Sequence, residues 1–184
     1  MAEELDAETR LTVYKLVLNR YKDLISEKES RSISEIRQKV SPYNDFIRKQ
    51  RESFIKDMVP YNPATQFMAA AERAMDYIRS IRTLEFAFTF WMEFKEMDEL
   101  RIATAMDKAI LLAALLRSLE SQDAKVLVSR RGKAFVRFSW NSTAYLFVPE
   151  SGSLLMGDDA SNLISDDPIA YSFNDIVYEN YEEL

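Results

Sequence analysis

Apolar residues recur at helical spacing along most of the chain and change to a strand-like spacing only after residue 123. Over residues 8–27, Leu11, Tyr14, Leu18, Tyr21 and Ile25 fall every three or four positions, and Val17 and Leu24 broaden the face. A second helical pattern carries Ile33, Ile36, Val40, Tyr43 and Ile47 and continues to about Asp57. Ser41-Pro42 lies inside it. Proline suits the first turn of a helix and not its interior, so a break belongs there. Residues 1–58 therefore read as two or three amphipathic helices, most simply a hairpin. Their apolar faces pack on the core or, as heptad-like faces do, seat a partner or a second copy of the chain.

Val59-Pro60-Tyr61-Asn62-Pro63 is the strongest boundary. It divides an N-terminal helical hairpin, residues 1–60, from an α+β unit, residues 61–184. Asn62 suits an N-cap and Pro63 a first helical residue. The helix they start runs to about Arg82, with a stripe of Phe67, Ala70, Ala71, Ala74, Tyr77, Ile78 and Ile81. Phe86, Phe88 and Phe90 alternate within the aromatic stretch 84–94, which predicts an extended segment with its rings in the core. Residues 96–101 are a polar, helical lead-in to the apolar stretch after them.

Residues 105–119 organise the rest. Positions 109–116 are an unbroken apolar run of Ala, Ile and Leu. A helix apolar on every side is buried on every side, and this run is far short of the roughly 20 residues that span a bilayer. Thr104 and Asp107 make a capping-box-like start. Arg117 and the polar residues after it make the end. Lys125–Ser129, Ala134–Trp140 and residues 144–149 are then β-rich runs, separated by Arg130-Arg131-Gly132-Lys133 and Asn141-Ser142-Thr143. They predict a three-stranded antiparallel meander directly after the central helix. Residues 151–155 extend it, 158–164 suit a short helix and Ile169–Phe173 a further strand. The acidic end, 175–184, reads as a short helix anchored by Ile176, Val177 and Tyr181. The fold class is α+β: an N-terminal helical pair, then a buried central helix on a small antiparallel sheet.

Composition removes several chemistries. Among 184 residues there is no cysteine and no histidine. Thiolate nucleophiles, imidazole bases and the usual zinc sites are thereby excluded. The net charge of -6 is uneven. Residues 150–184 carry nine acids and no Lys or Arg, so all 24 bases and 21 of the 30 acids fall on the rest. A near-neutral body with an acidic tail lacks the basic stripe of a nucleic-acid binder. The acidic start, Met-Ala-Glu-Glu-Leu-Asp, is unlike a signal peptide. No membrane association and a cytoplasmic location are the expectations.

The motifs that remain are modest. Asp158-Asp159 and Asp166-Asp167 are of the right chemistry for Mg²⁺ or Ca²⁺ but do not fit the EF-hand loop, and solvated loop charges explain them. Glu85, Glu93 and Glu96 near the aromatics have the chemistry of an acid/base pair, although no spacing singles them out. Arg130, Arg131 and Lys133 form a compact basic tip on a hairpin, a candidate grip for a phosphate or an acidic partner, or for the acidic tail of the chain itself. No glycine-rich phosphate loop is present. No cofactor and no metal are expected.

Ala105-Met106-Asp107-Lys108-Ala109, followed by Leu111-Leu112-Ala113-Ala114-Leu115-Leu116-Arg117-Ser118-Leu119, resembles the central helix of transglutaminase-like domains of the papain-type fold. Such families look like Cys-x-Asp-x-Ala, then Leu-Leu-x-x-Leu-Leu-Arg-x-Leu. Their next strands carry His-Ala-Trp/Phe-Val and then Asp-Pro, where this chain has Lys133-Ala134-Phe135-Val136 and Val148-Pro149. The resemblance covers residues 63–155. It places Ala105 where the nucleophile stands, Lys133 at the base and Val148 at the orienting acid, so all three catalytic positions are lost. It thus implies the fold and denies its activity, since that chemistry needs a thiolate, an imidazole and a carboxylate. The expectation is a catalytically inactive transglutaminase-like domain that serves binding or assembly, with a protein partner or with itself as a dimer through residues 1–58. The alternative is an enzyme of non-thiol mechanism in the same cleft, with Lys133 and carboxylates doing the work.

Overall fold

Helices α1 (Ile33–Lys39) and α2 (Asp45–Ile55) flank the break expected at Ser41-Pro42. The cap of the second is Asn44, whose side chain accepts the Phe46 N–H at 2.9 Å. The computed structural model describes residues 33–85 and 91–181, together with Lys15, which is helical and exposed. The predicted helix over 8–27 otherwise lies outside the described residues, as do Phe86, Phe88 and Phe90. Val40, Ile47, Phe54 and Met58 are buried in the same core cluster as the helices and strands after them. Arg73 holds the exit from α2 by donating to the Phe54 carbonyl and pairing with Asp57.

Helix α3 (Pro63–Arg79) begins as expected, with Asn62 accepting the Ala64 N–H at 3.0 Å and Pro63 in the first turn. It stops at Arg79, because the next residues are drawn into a strand. Strand β1 (Arg82–Thr83) pairs in parallel with β2 (Ile102–Ala103), and α4 (Phe94–Leu100) lies in the crossover between them. Glu93 and Glu96 form a reciprocal capping box at the start of α4. Arg101 ends that helix in the left-handed conformation, at φ 56°. The β1–β2 pair lays Thr83 beside the start of α5 (Ala105–Ser118).

Helix α5 is the buried helix the apolar run predicts. Every residue from Ala109 to Leu116 is at most 1% exposed. Thr104 caps it by accepting the Asp107 N–H at 3.1 Å. The Tyr61 hydroxyl closes its other end by donating to the Leu119 carbonyl at 3.0 Å. Burial holds the Tyr61 phenol up at about 12.

The strands β3 (Lys125–Ser129), β4 (Ala134–Trp140), β5 (Thr143–Val148) and β6 (Ser153–Met156) run as an antiparallel meander. The Asn141-Ser142 turn between β4 and β5 has positive φ at both residues, as a two-residue hairpin requires. Helix α6 (Gly157–Asp166) comes next, then β7 (Ile169–Phe173) pairs with β3 and β8 (Tyr178–Asn180) with β7. The six-stranded order is β6-β5-β4-β3-β7-β8, antiparallel throughout.

Alternation gives the sheet two buried faces. Val126, Val128, Val136, Phe138, Phe147 and Phe173 join the helical core. Leu127, Phe135 and Leu146 form a second cluster against Leu163 and Ile164 of α6. The molecule is α+β, with six helices among the described residues. None of those helices is long and apolar enough to cross a membrane.

The acidic end departs from its expectation. Residues 178–180 are strand rather than helix, and Ile176 and Val177 are exposed rather than anchoring. Asn174 turns the chain by accepting the N–H groups of both Ile176 and Val177, at 2.9 and 2.8 Å. Glu179 then docks β8 by accepting from Lys125 at 2.6 Å and from the hydroxyls of Tyr181 and Ser172. Lys125, Tyr181 and Ser172 together hold the Glu179 carboxyl down at about 2.

Candidate functional site

A cavity of about 800 Å³ opens at the N-terminal end of α5. Thr104, Ala105 and Met106 form one wall, where the cap and first turn of the helix emerge from the core. Lys133, Ala134 and Phe135 form a second, at the start of β4. Val148 and Glu150 bring in the end of β5, and Tyr171 and Phe173 come from β7. Thr83, Leu84 and Glu85 close the side nearest β1, with Trp91 beside them.

The structure therefore brings Ala105, Lys133 and Val148 to one cavity. It divides the basic tip. Arg131 and Lys133 line the cavity, whereas Arg130 does not. The tip is tied to the acidic segment by backbone and hydroxyl groups rather than by its cationic side chains. Asp167 is buried and accepts the Ser129 hydroxyl at 2.7 Å and the Arg131 N–H at 3.3 Å. The Arg130 N–H donates to the Pro168 carbonyl at 2.8 Å. Among the described residues no cluster of three or more acids gathers as a metal site. Of the three glutamates near the aromatics, only Glu85 reaches the cavity; Glu93 and Glu96 cap α4.

The charged side chains at this cavity, Glu85, Arg131, Lys133 and Glu150, are all exposed. Its lining includes the buried apolar residues Ala134, Phe135 and Phe173. The site is thus an apolar hollow with a rim of both signs. Such a surface receives an apolar group and orients what is attached to it.

Two ionisable residues in the first turn of α5 are buried, which the sequence reading did not anticipate: Asp107, read there only as part of the cap, and Lys108. Asp107 is 2% exposed and faces α1. The Thr104 hydroxyl donates to its Oδ2 at 2.8 Å. Burial holds its carboxyl above the usual carboxylate value, opposed by the Thr104 bond, the Lys39 charge and an N–H from Met92. Lys39 in turn donates to the Met92 carbonyl at 2.9 Å and pairs with Glu93 at 3.3 Å. Lys108 is 3% exposed and donates to the Thr83 hydroxyl at 2.9 Å. Burial lowers its pKa from the ordinary lysine value. The signal for both was present: charged residues within a helix whose whole circumference is apolar must be buried with it.

No protein-family model, no curated protein and no solved structure matches the chain.

Proposed function

We propose that this chain is a transglutaminase-like domain without its catalytic triad, and that it works as a binding module through the cleft at the start of α5. The single observation that carries the reading is the make-up of that cleft: buried apolar residues in its lining, with every charged group exposed at the rim. A catalytic acid or base is usually set apart by burial. Lys133, Glu85 and Glu150 are exposed instead. Two further facts support the reading. The positions that would hold the triad, Ala105, Lys133 and Val148, line one cavity. The central helix is followed in sequence and in space by an antiparallel meander. The ligand class that suits the cleft is a partner protein's apolar side chain flanked by charged groups.

The test uses 1-anilinonaphthalene-8-sulfonate, an apolar dye with one anionic group, on the full chain. Trp91 lines the cavity. In a Trp140→Phe background it is the sole tryptophan, and energy transfer from it reports dye seated there. Saturable transfer should appear, and Ala105→Phe, which fills part of the cavity without adding a second tryptophan, should weaken dye binding by about tenfold or more while the melting temperature holds. Equal binding by the filled variant overturns the reading. Hydrolysis of peptide amides by the pure protein, abolished by Lys133→Ala or Glu150→Gln, would establish the enzyme alternative in its place.

A further inference from the structure

A second, smaller cavity of about 320 Å³ abuts the first, with Thr83 and Glu150 in the walls of both. Its remaining charged walls are cationic: Arg79, Arg82 and Lys108, against the single carboxylate of Glu150. Lys108 is the deepest of them, with only 3% of it exposed. An ammonium carries three donors and no acceptor. One donor is used on Thr83, and among the described residues no carboxylate pairs with it. The group also stands near the positive end of the α5 dipole. A cation desolvated there, with one neutral partner, is unfavourable unless an anion joins it.

The neighbouring wall is prepared rather than loose. Arg79 donates from Nε to the Gly152 carbonyl at 2.8 Å and from Nη1 to Asp76 at 2.6 Å, and its guanidinium lies 5.6 Å over the Phe147 ring. Gly152 sits at φ 73°, and a Cβ there would stand 3.0 Å from Arg79 Cγ. The glycine thus lets Arg79 lie flat in the wall. Arg82 is exposed at the mouth, and Ser151 lines the same space.

We propose that this cavity is a binding site for a small oxyanion, a phosphate or a carboxylate, seated against Lys108 between Arg79 and Arg82. The oxyanion supplies acceptors for the two donors Lys108 has left and the charge that no side chain supplies. The site is separate from the larger cleft and does not rest on its proposed role. Because Thr83 and Glu150 belong to both walls, an occupant here borders whatever the larger cleft holds.

The test tracks the ε-methylene resonance of Lys108 in the full chain labelled with ¹³C-lysine, assigned by its disappearance in Lys108→Met. Sodium phosphate, sodium acetate and sodium chloride are titrated separately at matched ionic strength. A saturable shift with phosphate identifies a phosphate site, and one with acetate a carboxylate site; chloride should give neither. Arg82→Ala changes an exposed residue and leaves the fold intact, and it should weaken the oxyanion by about tenfold or more. A Lys108 resonance that no oxyanion moves, a shift that chloride reproduces, or full affinity in Arg82→Ala overturns the proposal. Dye binding at Trp91 is read independently, so failure of this site and failure of the cleft are distinguishable.

Discussion

Arg117 and Asp175 meet as an ion pair across 58 residues of sequence, with Nε 2.7 Å from Oδ1 and Nη2 3.4 Å from Oδ2. The same guanidinium donates from Nη1 to the carbonyls of Ser121 and Gln122, at 2.7 and 2.8 Å. One side chain therefore closes the end of α5 and pins the β7–β8 connection to it. The two side chains are only 7% and 16% exposed. Removing one partner of a pair at that depth leaves the other charge stranded, which costs about 3 kcal/mol or more. Asp175→Ala should lose about that much stability in urea denaturation. A loss no larger than that of an exposed pair would show that water already serves Arg117.

Leu112 and Leu115 are fully buried on α5. Large-to-small changes in a packed core cost about 2–5 kcal/mol each. Leu112→Ala and Leu115→Ala should each fall in that range by thermal or chemical denaturation. Little change in both would make α5 a surface element and the architecture untenable.

How much of the fold was legible depends on what holds each element in place. Helix α5 was plain, because a run apolar on every side has one stable location. The meander was plain for a similar reason: β-rich runs with Gly and Asn between them have few alternatives. Strands β1 and β2 were not legible, since two-residue strands exist only because α3 and α4 bring them together. The end of the chain misled because Ile176, Val177 and Tyr181 suit a helix, whereas the Asn174 side chain turns the chain locally and the Glu179 contact with Lys125, 54 residues away, is tertiary. At the cleft, sequence pattern marked Ala105, Lys133 and Val148 through resemblance alone. Thr83 and Lys108 escaped because their significance lies in a cavity between distant segments.

The proposed alignment of the cleft can be tested chemically. Ala105→Cys puts a thiol at the first residue of α5, and Lys133→His adds an imidazole across the cavity. A thiol paired with an imidazole loses its proton more readily and reacts faster with alkylating agents below neutral pH. The double variant should react with iodoacetamide at pH 6 about tenfold faster than Ala105→Cys alone. Amide hydrolysis should stay far below that of a full triad, about 10⁴-fold by analogy with a triad lacking its orienting acid, because Val148 cannot fix the ring. Equal alkylation rates would mean the two positions do not face each other.

Self-association through residues 1–58 now has a narrower seat. Val40, Ile47, Phe54 and Met58 are already spent on the shared core. A seam between copies is left the exposed Tyr43 and the stripes at Leu11, Leu18 and Ile25 or Val13, Val17 and Leu24. A stable two-fold contact would bury upwards of roughly 1,000 Å². The full chain should sediment as a dimer at micromolar concentration. Leu18→Glu or Val17→Glu should return it to monomer with its helical signal intact. A monomeric wild-type chain would remove the dimer from consideration.

Lys108 should leave a signature in the alkaline limb of stability. Burial lowers its proton affinity in the fold, whereas the unfolded chain keeps that of ordinary lysine, near 10.5. At pH below the folded value both states hold the proton, and the cost of the buried charge is present in full. As pH rises through the folded value the native state sheds the proton first, so stability rises with pH until the unfolded chain titrates as well. Each tenfold lowering of proton affinity is worth about 1.4 kcal/mol. Tyr61 and Tyr77 work in the opposite sense. Burial raises both, Tyr77 with help from its bond to Asp98, and their share of stability is lost as pH climbs beyond about 10. Lys108→Met carries the same tyrosines and no ammonium, so the difference between the two proteins isolates the lysine. Wild-type stability minus that of Lys108→Met, measured in urea without added oxyanions, should grow as pH rises toward the unfolded lysine value of 10.5. A difference that stays flat all the way to that value would mean that Lys108 remains as well solvated in the fold as in the unfolded chain.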